Sequence, residues 1–357
     1  MKKTLLLSAC AVTLFSTQSI AAEQDKSGYT LFNPTPKELM REMSTDRPDK
    51  TESPYTVDAG HFQFETDLVN YTRNRDTNDG ANTRTSAFDV MAINAKAGLL
   101  NNVDIQFVVE SYKYDKTTDY DAGTSEKKNG FGDITTRLKY NVWGNDGGTT
   151  ALAIMPFVKW PTNSDDLAND DVEYGVIVPL AVDLGNDWGM GLMTELDINK
   201  DEDDTGYHAE YVNSITFSKG ITEELGMYAE FFTSKSSEEG ADWANTLDFG
   251  MTYGIGDNIQ LDAGVNIGVT DAADDFNPFM GATYRFCRSV CTGDARWIRV
   301  VRGEGCPHRA GLLAHLEAIL ARLHLQREIL DQPLLAAIAE ADILEVNLTA
   351  GDLEFPG

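Results

Sequence analysis

The stretch Phe276–Phe286, FNPFMGATYRF, decides the fold because its side chains alternate without a break. Successive residues of a β-strand point to opposite faces of a sheet. The two faces carry Met280, Ala282, Tyr284 and Phe286 on one side and Phe279, Gly281, Thr283 and Arg285 on the other. An apolar face that ends in aromatic rings, opposite a face that carries an arginine, is typical of a strand in a transmembrane β-barrel. We therefore expect a barrel to close at Phe286.

The composition limits what the rest of the chain can be. It has 357 residues, 42% of them hydrophobic, and a formal net charge of −28. This length allows one or two domains. Nucleic-acid binding needs clustered Lys and Arg to neutralise phosphates, so the acidic balance excludes nucleic acid as a partner. Beyond the N-terminus no window holds the 18 consecutive apolar residues of a spanning helix, so any crossing of a membrane must use strands.

Residues 1–22 have the organisation of a secretory signal peptide. Lys2 and Lys3 give a basic start, Leu5–Phe15 gives a short apolar core, and residues 19–22 supply small side chains for cleavage. A second interpretation stays open, because the sequence LSAC that ends at Cys10 resembles a lipoprotein box and would allow lipidation. Residues 23–286 contain no cysteine, as expected for a barrel that folds in an oxidising periplasm.

Residues 23–59 are polar and rich in proline, which predicts an extended periplasmic lead-in. From Gly60 onward the sequence contains twelve candidate strands that are long enough to cross the hydrocarbon. They span residues 60–73, 82–99, 103–115, 131–143, 149–160, 172–184, 188–199, 206–218, 224–235, 241–255, 258–270 and 276–286. Short turns and longer loops alternate between them, as in outer-membrane barrels with their turns in the periplasm.

Tryptophans lie at both ends of the candidate strands: Trp143 and Trp188 near short turns, and Trp160 and Trp243 near long loops. Amphipathic rings favour the two interfaces of a membrane. The predicted fold class is therefore all-β: a 12-stranded antiparallel transmembrane β-barrel over residues 60–286, located in the outer membrane of a Gram-negative bacterium.

The run TDRPDKTESPYTVDAGHFQFETD, residues 45–67, resembles the start of an outer-membrane transporter family of the phenol-degradation meta-pathway type. The matching segments are residues 45–49, 51–54 and 57–60, and the resemblance covers about 45–286. It implies an outer-membrane barrel that passes small, often hydrophobic or aromatic, compounds. The chain departs from the family pattern after Phe286, where such a protein should stop.

Charged side chains on the polar strand faces are the candidate lining of a wet lumen, because charge on the lipid face is costly. The candidates are Glu65, Asp104, Glu110, Arg137, Lys139, Glu195, Asp197, His208, Glu210, Glu230, Asp248, Asp262 and Arg285. Two interpretations of them stay open. They line a pore with a mild preference for cations, or they form a salt-bridged interior that holds the strands apart.

We expect passive passage of small solutes, with no catalytic residue, metal or cofactor. One alternative is a structural or adhesive barrel with a plugged lumen. A less favoured one is an outer-membrane lipid hydrolase, for which His208 lies near the outer rim but Ser214 lies far along the same strand. The expected partners are outer-membrane lipid and lipopolysaccharide, a small-molecule solute and the outer-membrane assembly machinery.

The tail 287–357 differs in kind from the barrel, since it is free of lysine and rich in arginine. Apolar residues recur at helical spacing over 310–330. We expect a helical appendage that was joined to the barrel by fusion or frameshift.

Overall fold

The computed structural model describes residues 25–77, 81–164, 167, 170–201 and 206–286. One 3-10 helix, Lys37–Leu39, precedes fifteen strands. The strands are β1 Phe62–Asp76, β2 Thr83–Val90, β3 Ala92–Leu100, β4 Val103–Val109, β5 Tyr112–Asp119, β6 Thr124–Gly130, β7 Ile134–Trp143, β8 Thr150–Trp160, β9 Glu173–Gly185, β10 Trp188–Lys200, β11 Tyr207–Gly220, β12 Leu225–Ser236, β13 Ala244–Ile255, β14 Ile259–Gly268 and β15 Phe276–Phe286. Within this part of the chain no helix is long and apolar enough to span a membrane.

The fifteen strands make twelve crossings of one antiparallel sheet, because three crossings are interrupted. The pairs β2–β3, β4–β5 and β6–β7 each follow one another along the same crossing, and the first of these breaks at Met91, whose φ is 57°. Strands β1 and β15 pair with Phe62 opposite Phe286, which closes the sheet. The predicted 12-stranded antiparallel barrel is confirmed. The predicted signal peptide and the helical appendage lie outside the described residues.

The predicted outer loop 116–130 is wrong in one respect. Residues 112–119 and 124–130 form the hairpin β5–β6, which extends two of the crossings. Its residues, such as Lys113, Asp115, Lys116 and Glu126, put charges on both faces of the hairpin. A strand that crosses the membrane keeps one face apolar. Because this hairpin is charged on both faces, apolar–polar alternation does not predict its strands.

The outer surface of the barrel is apolar and the inner one is polar. On β13, Leu247, Phe249 and Met251 are 40%, 44% and 54% exposed, whereas Asp248 between them is fully buried. A water-soluble sandwich would bury the apolar row and expose the carboxylate. A closed barrel removes the sheet edges that lipid does not tolerate, and the exposed apolar row suits hydrocarbon. The chain is therefore an outer-membrane barrel of the kind found in Gram-negative bacteria.

Candidate functional site

The segment ahead of β1 lies inside the barrel, and we call residues 41–59 the plug. The sequence predicted a lead-in that precedes the barrel, and the structure places this part of it within the lumen. The plug enters at the short-turn end, where the Arg41 guanidinium bonds Asn101 Oδ1 and Asp146 Oδ1 at 3.0 Å each. Its backbone carbonyl accepts a 2.8 Å bond from Arg285 of β15. The last strand of the barrel and the start of the plug thus hold each other.

The plug has no strands of its own, so its backbone N–H groups need partners from the wall. Wall carboxylates supply several of them. The N–H groups of Lys50 and Thr51 both donate to Glu230, at 2.9 Å each. The N–H of Val57 donates to Asp104 at 3.0 Å. The carboxylates of Glu230 and Asp104 therefore accept hydrogen bonds from N–H groups of the plug that no strand pairing satisfies.

One buried ion cluster surrounds Asp46 of the plug. Lys139 of β7 donates to its carboxylate at 2.6 Å and Lys96 of β3 forms a second ion pair with it, while Lys96 also pairs with Glu65 of β1. Burial raises the pKa of Asp46, but the two ammonium groups outweigh burial and hold the pKa well below its usual range. Both lysine side chains are almost completely buried, so this carboxylate neutralises charge that has no access to water.

A second cluster surrounds Arg47, whose guanidinium pairs with Asp67 at 2.5 Å and with Asp262 at 2.8 Å. The same group lies 5.7 Å from the centroid of the Phe279 ring, a cation–π distance. A Cβ at Gly281 would come within van der Waals overlap of this guanidinium. The glycine in FNPFMGATYRF is thus needed because the plug packs against that point of β15.

A third group of contacts holds residues 50–52 at mid-height. Lys50 Nζ lies 3.4 Å from Asp248 and 4.3 Å from the centroid of Phe232. The hydroxyl of Thr51 lies 2.6 Å from that of Ser214 on β11. Glu52 accepts a 2.6 Å bond from Arg137 of β7.

The structure divides the predicted lumen residues into two sets. Eight contact the plug: Glu65, Asp104, Arg137, Lys139, Glu230, Asp248, Asp262 and Arg285. Five lie nearer the long-loop end of the lumen: Glu110, Glu195, Asp197, His208 and Glu210. In that second set Glu110 accepts the N–H of Asp133 at 3.0 Å, and Glu210 accepts from Asn199 at 3.1 Å. The plug therefore occupies the lumen from the short turns to mid-height.

An inner apolar patch lies at mid-height on β8–β11, and the strand analysis missed it. Met155, Ile177, Met193 and Val212 are buried there, and Phe157 and Phe232 pack against them. Met155 is fully buried while Ile154 beside it is 41% exposed, so Met155 faces the lumen. The sequence carries a signal for this patch, since residues 151–158, ALAIMPFV, are apolar on both faces rather than alternating.

The hydrolase alternative requires His208 and Ser214 to meet. They are six residues apart on β11, which separates them by about 20 Å at roughly 3.3 Å per residue. His208 Nδ1 bonds Asp201 at 2.9 Å, while Ser214 bonds Thr51 of the plug. The two side chains therefore do not form a nucleophile–base pair.

A cavity of about 570 Å³ opens at the short-turn end, beside the plug. Arg41 and Met43 border it on the plug side, and Gln260 and Arg285 border it on the wall.

Three solved structures with a similar course of the chain are distant in sequence. The NanC porin is 12% identical, with 62% of this chain and 98% of that chain covered and a TM-score of 0.38. The transport unit of the autotransporter AIDA-I from Escherichia coli is 11% identical, with 68% and 93% covered and a TM-score of 0.43. The CymD monoaromatic hydrocarbon channel is 7% identical, with 64% and 88% covered and a TM-score of 0.38. These likenesses are too remote to transfer a function.

No curated protein sequence matches the chain. The family described as "Putative MetA-pathway of phenol degradation" matches residues 45–286. That range begins inside the plug and ends at the last residue of β15, so it includes most of the plug together with the whole wall. The chain belongs to this family.

Proposed function

We propose that the protein is a plugged outer-membrane passage for small apolar or aromatic solutes. The observation that carries the proposal is the inner apolar patch, which lies inside the lumen next to a plug that is bound by polar contacts. Apolar side chains inside a barrel are not needed to satisfy the lipid, which contacts the other face. When the plug is displaced, they offer a surface on which a small aromatic compound displaces water. The family description, which concerns phenol degradation, agrees with this class of solute.

The composition of the plug suits a segment that moves. Its large apolar residues are few: Met43, Tyr55 and Val57. Neutral backbone groups that leave the wall exchange one hydrogen bond for another with water, at a net cost of about 0.5–1.5 kcal/mol each, whereas bonds to charged groups cost about 1.5–3 kcal/mol. The ion pairs of Asp46 and Arg47 therefore dominate the cost of displacing the plug. A plug held by apolar area would instead lose about 25 cal/mol for each Å² that it exposes. Passage in this proposal follows the displacement of residues 46–52 from mid-height.

A reversible cross-link between plug and wall tests the proposal. The hydroxyl oxygens of Thr51 and Ser214 are 2.6 Å apart, so two cysteines at these positions place their sulfur atoms next to each other for a disulfide. The double variant Thr51→Cys/Ser214→Cys is reconstituted into liposomes, and the uptake of phenol and of a polyol of similar size is measured. The single variant Thr51→Cys is the control, because Cys287, Cys291 and Cys306 are also present.

We expect oxidation to stop phenol uptake in the double variant, a reductant to restore it, and the single variant to take up phenol under both conditions. Equal uptake by the oxidised and reduced double variant would overturn the proposal. Faster uptake of the polyol than of phenol would overturn the assignment of the solute class.

The occupied lumen also favours a second function, a structural barrel whose plug stays in place. A variant in which residues 44–53 are replaced by a Gly-Ser linker distinguishes the two. A permanent plug predicts conductance in a planar bilayer from this variant and no uptake of either solute by the wild-type protein. A movable plug predicts uptake of phenol by both.

A further inference from the structure

A three-residue cluster lies at the outer mouth of the lumen, away from the plug. It consists of Asp201 just after β10, His208 at the start of β11 and Glu238 just after β12. One ligand atom from each residue lies within 4.8 Å of those from the other two. His208 shares the inward direction of Ser214 and Thr216, because all three occupy even positions of β11. The cluster therefore faces the lumen and not the lipid.

The distances in the cluster are close to those of a metal site. His208 Nδ1 lies 2.9 Å from Asp201 Oδ1, and His208 Nε2 lies 3.6 Å from Glu238 Oε2. Two ligands that each lie about 2.0–2.1 Å from a tetrahedral zinc ion are roughly 3.3 Å apart. Only one ring nitrogen can face an ion at a time. With Nε2 and Glu238 on the metal, Asp201 accepts the Nδ1 hydrogen and fixes the ring, an arrangement common around zinc-bound histidines.

The charges of the cluster also fit a cation. Among the described residues, the ion pairs of Asp201 and Glu238 are with His208 alone, and neither carboxylate has a lysine or arginine within 4.0 Å. Two carboxylates around a neutral imidazole carry a charge of about −2, which matches a divalent ion. This differs from the plug region, where Asp46, for instance, has two lysine partners.

We propose that Asp201, His208 and Glu238 form a binding site for a divalent transition-metal ion of the Zn²⁺ class. The ion joins the start of β11 to the loop that follows β12, and the hydrogen bond of His208 to Asp201 connects both to the end of β10. The backbone already brings these segments together, since Ser237 N donates to Ala209 O at 2.7 Å and Asp201 N donates to Gly206 O at 3.1 Å. None of the three residues contacts the plug in the described structure, so this proposal does not rest on displacement of the plug.

The test is zinc binding by the purified full-length protein in detergent, measured by competition with a chromogenic zinc chelator. The variants are His208→Ala, Glu238→Gln and Asp201→Asn. The matched control is Glu239→Gln, which removes the same charge from the neighbouring exposed position of the same loop. Heat-modifiable gel migration shows that each variant forms a closed barrel.

We expect His208→Ala and Glu238→Gln to weaken zinc binding at least tenfold, and Asp201→Asn to weaken it about 10–100-fold if it orients the ring. Glu239→Gln should bind zinc like the wild-type protein. Electron paramagnetic resonance of the Cu²⁺-loaded protein should show one coupled nitrogen, which His208→Ala abolishes. The proposal is overturned if His208→Ala binds zinc as tightly as the wild-type protein. A zinc site elsewhere in the chain would give that result, for instance one made by Cys287, Cys291, Cys306 and His308.

Discussion

The two sides of the lumen wall contact the plug in different ways. The side formed by β12–β15, β1, β3, β4 and β7, which we call the anchoring wall, presents charged groups to the plug, among them Asp262, Glu65 and Lys139. The side formed by β8–β11, which we call the apolar wall, presents the inner apolar patch at the same height. Ion pairs and hydrogen bonds depend on position and direction, whereas apolar contact is non-directional. The anchoring wall therefore fixes where the plug lies, and in the proposed function the apolar wall receives the solute once the plug is displaced.

The largest effect should come from Asp46→Asn in the plug, which tests the contacts of the plug with the anchoring wall. The variant leaves the fully buried Lys139 without its counter-charge, and removal of one partner from a buried pair costs about 3–5 kcal/mol. The plug should then leave the lumen often enough for trypsin, which is too large to enter the barrel, to cut after Lys50. Glu42→Gln is the control, because Glu42 lies in the same segment, carries the same charge and is exposed.

If trypsin cleaves Asp46→Asn after Lys50 no faster than it cleaves the wild-type and Glu42→Gln proteins, Asp46 does not anchor the plug. Cleavage after Lys50 with an unchanged gel shift on heating would show that the plug, and not the barrel, has been released.

Met193→Ala tests the apolar wall and should have the next largest effect. Met→Ala in a packed interior costs 2–5 kcal/mol, and we expect about 2 kcal/mol because water can reach a lumen. The barrel should unfold at lower urea concentration and take up less phenol. The plug loses only the 3.4 Å bond from Glu52 N to Met193 Sδ and should stay protected from trypsin. Met190→Ala is the control, since it lies on the lipid face of the same strand. Loss of plug protection in Met193→Ala would show that the two walls do not have separate roles.

Gly281→Ala should loosen the plug to a smaller extent. The added methyl group would overlap the Arg47 guanidinium and the backbone oxygen of Thr66, and overpacking costs about 1–3 kcal/mol. Trypsin cleavage after Lys50 should increase, though less than in Asp46→Asn. Gly28→Ala, where a methyl group meets no atom within 4 Å, is the control. Cleavage equal to that of Gly28→Ala would mean that the side chain of Arg47 moves aside without cost.

The alternation of strands such as β13 and β15 was sufficient to predict the wall, because a period of two is a local property of the sequence. The position of the plug was not predictable in this way. Arg47 and Asp262 are 215 positions apart, and nothing near Arg47 in the sequence states which carboxylate it will meet. The break at Met91 was likewise not predictable from the local sequence, because it depends on how β1 pairs with both β2 and β3.

The apolar wall shows a different limit of sequence reasoning. Strands β8 and β9 are apolar on both faces, and the rule of apolar outside and polar inside does not say which residues face the lumen. Only the burial of Met155 beside the exposed Ile154, and of Ile177 on the neighbouring strand, decides it. Departures from a pattern, like this one, are expected where a protein carries out its function.

Lys26→Ala should have the smallest effect, because it removes an anchor at the mouth and not in the lumen. Lys26 pairs with Asp146 at 2.6 Å, but Asp146 keeps Arg41 at 3.0 Å and the amide of Asn101. Burial raises the pKa of Asp146, while its bonds to Lys26 and Asn101 and the charge of Arg41 outweigh burial and lower it. A carboxyl group whose pKa is lowered by folding stabilises the folded state at pH values above its ordinary pKa of 3.8. This contribution disappears as the pH falls through the pKa of the folded state. Urea unfolding at pH 7 should therefore show a loss of less than about 1 kcal/mol in Lys26→Ala, and the two proteins should converge in acid; a difference that grows as the pH falls would mean that Lys26 acts through a group other than Asp146.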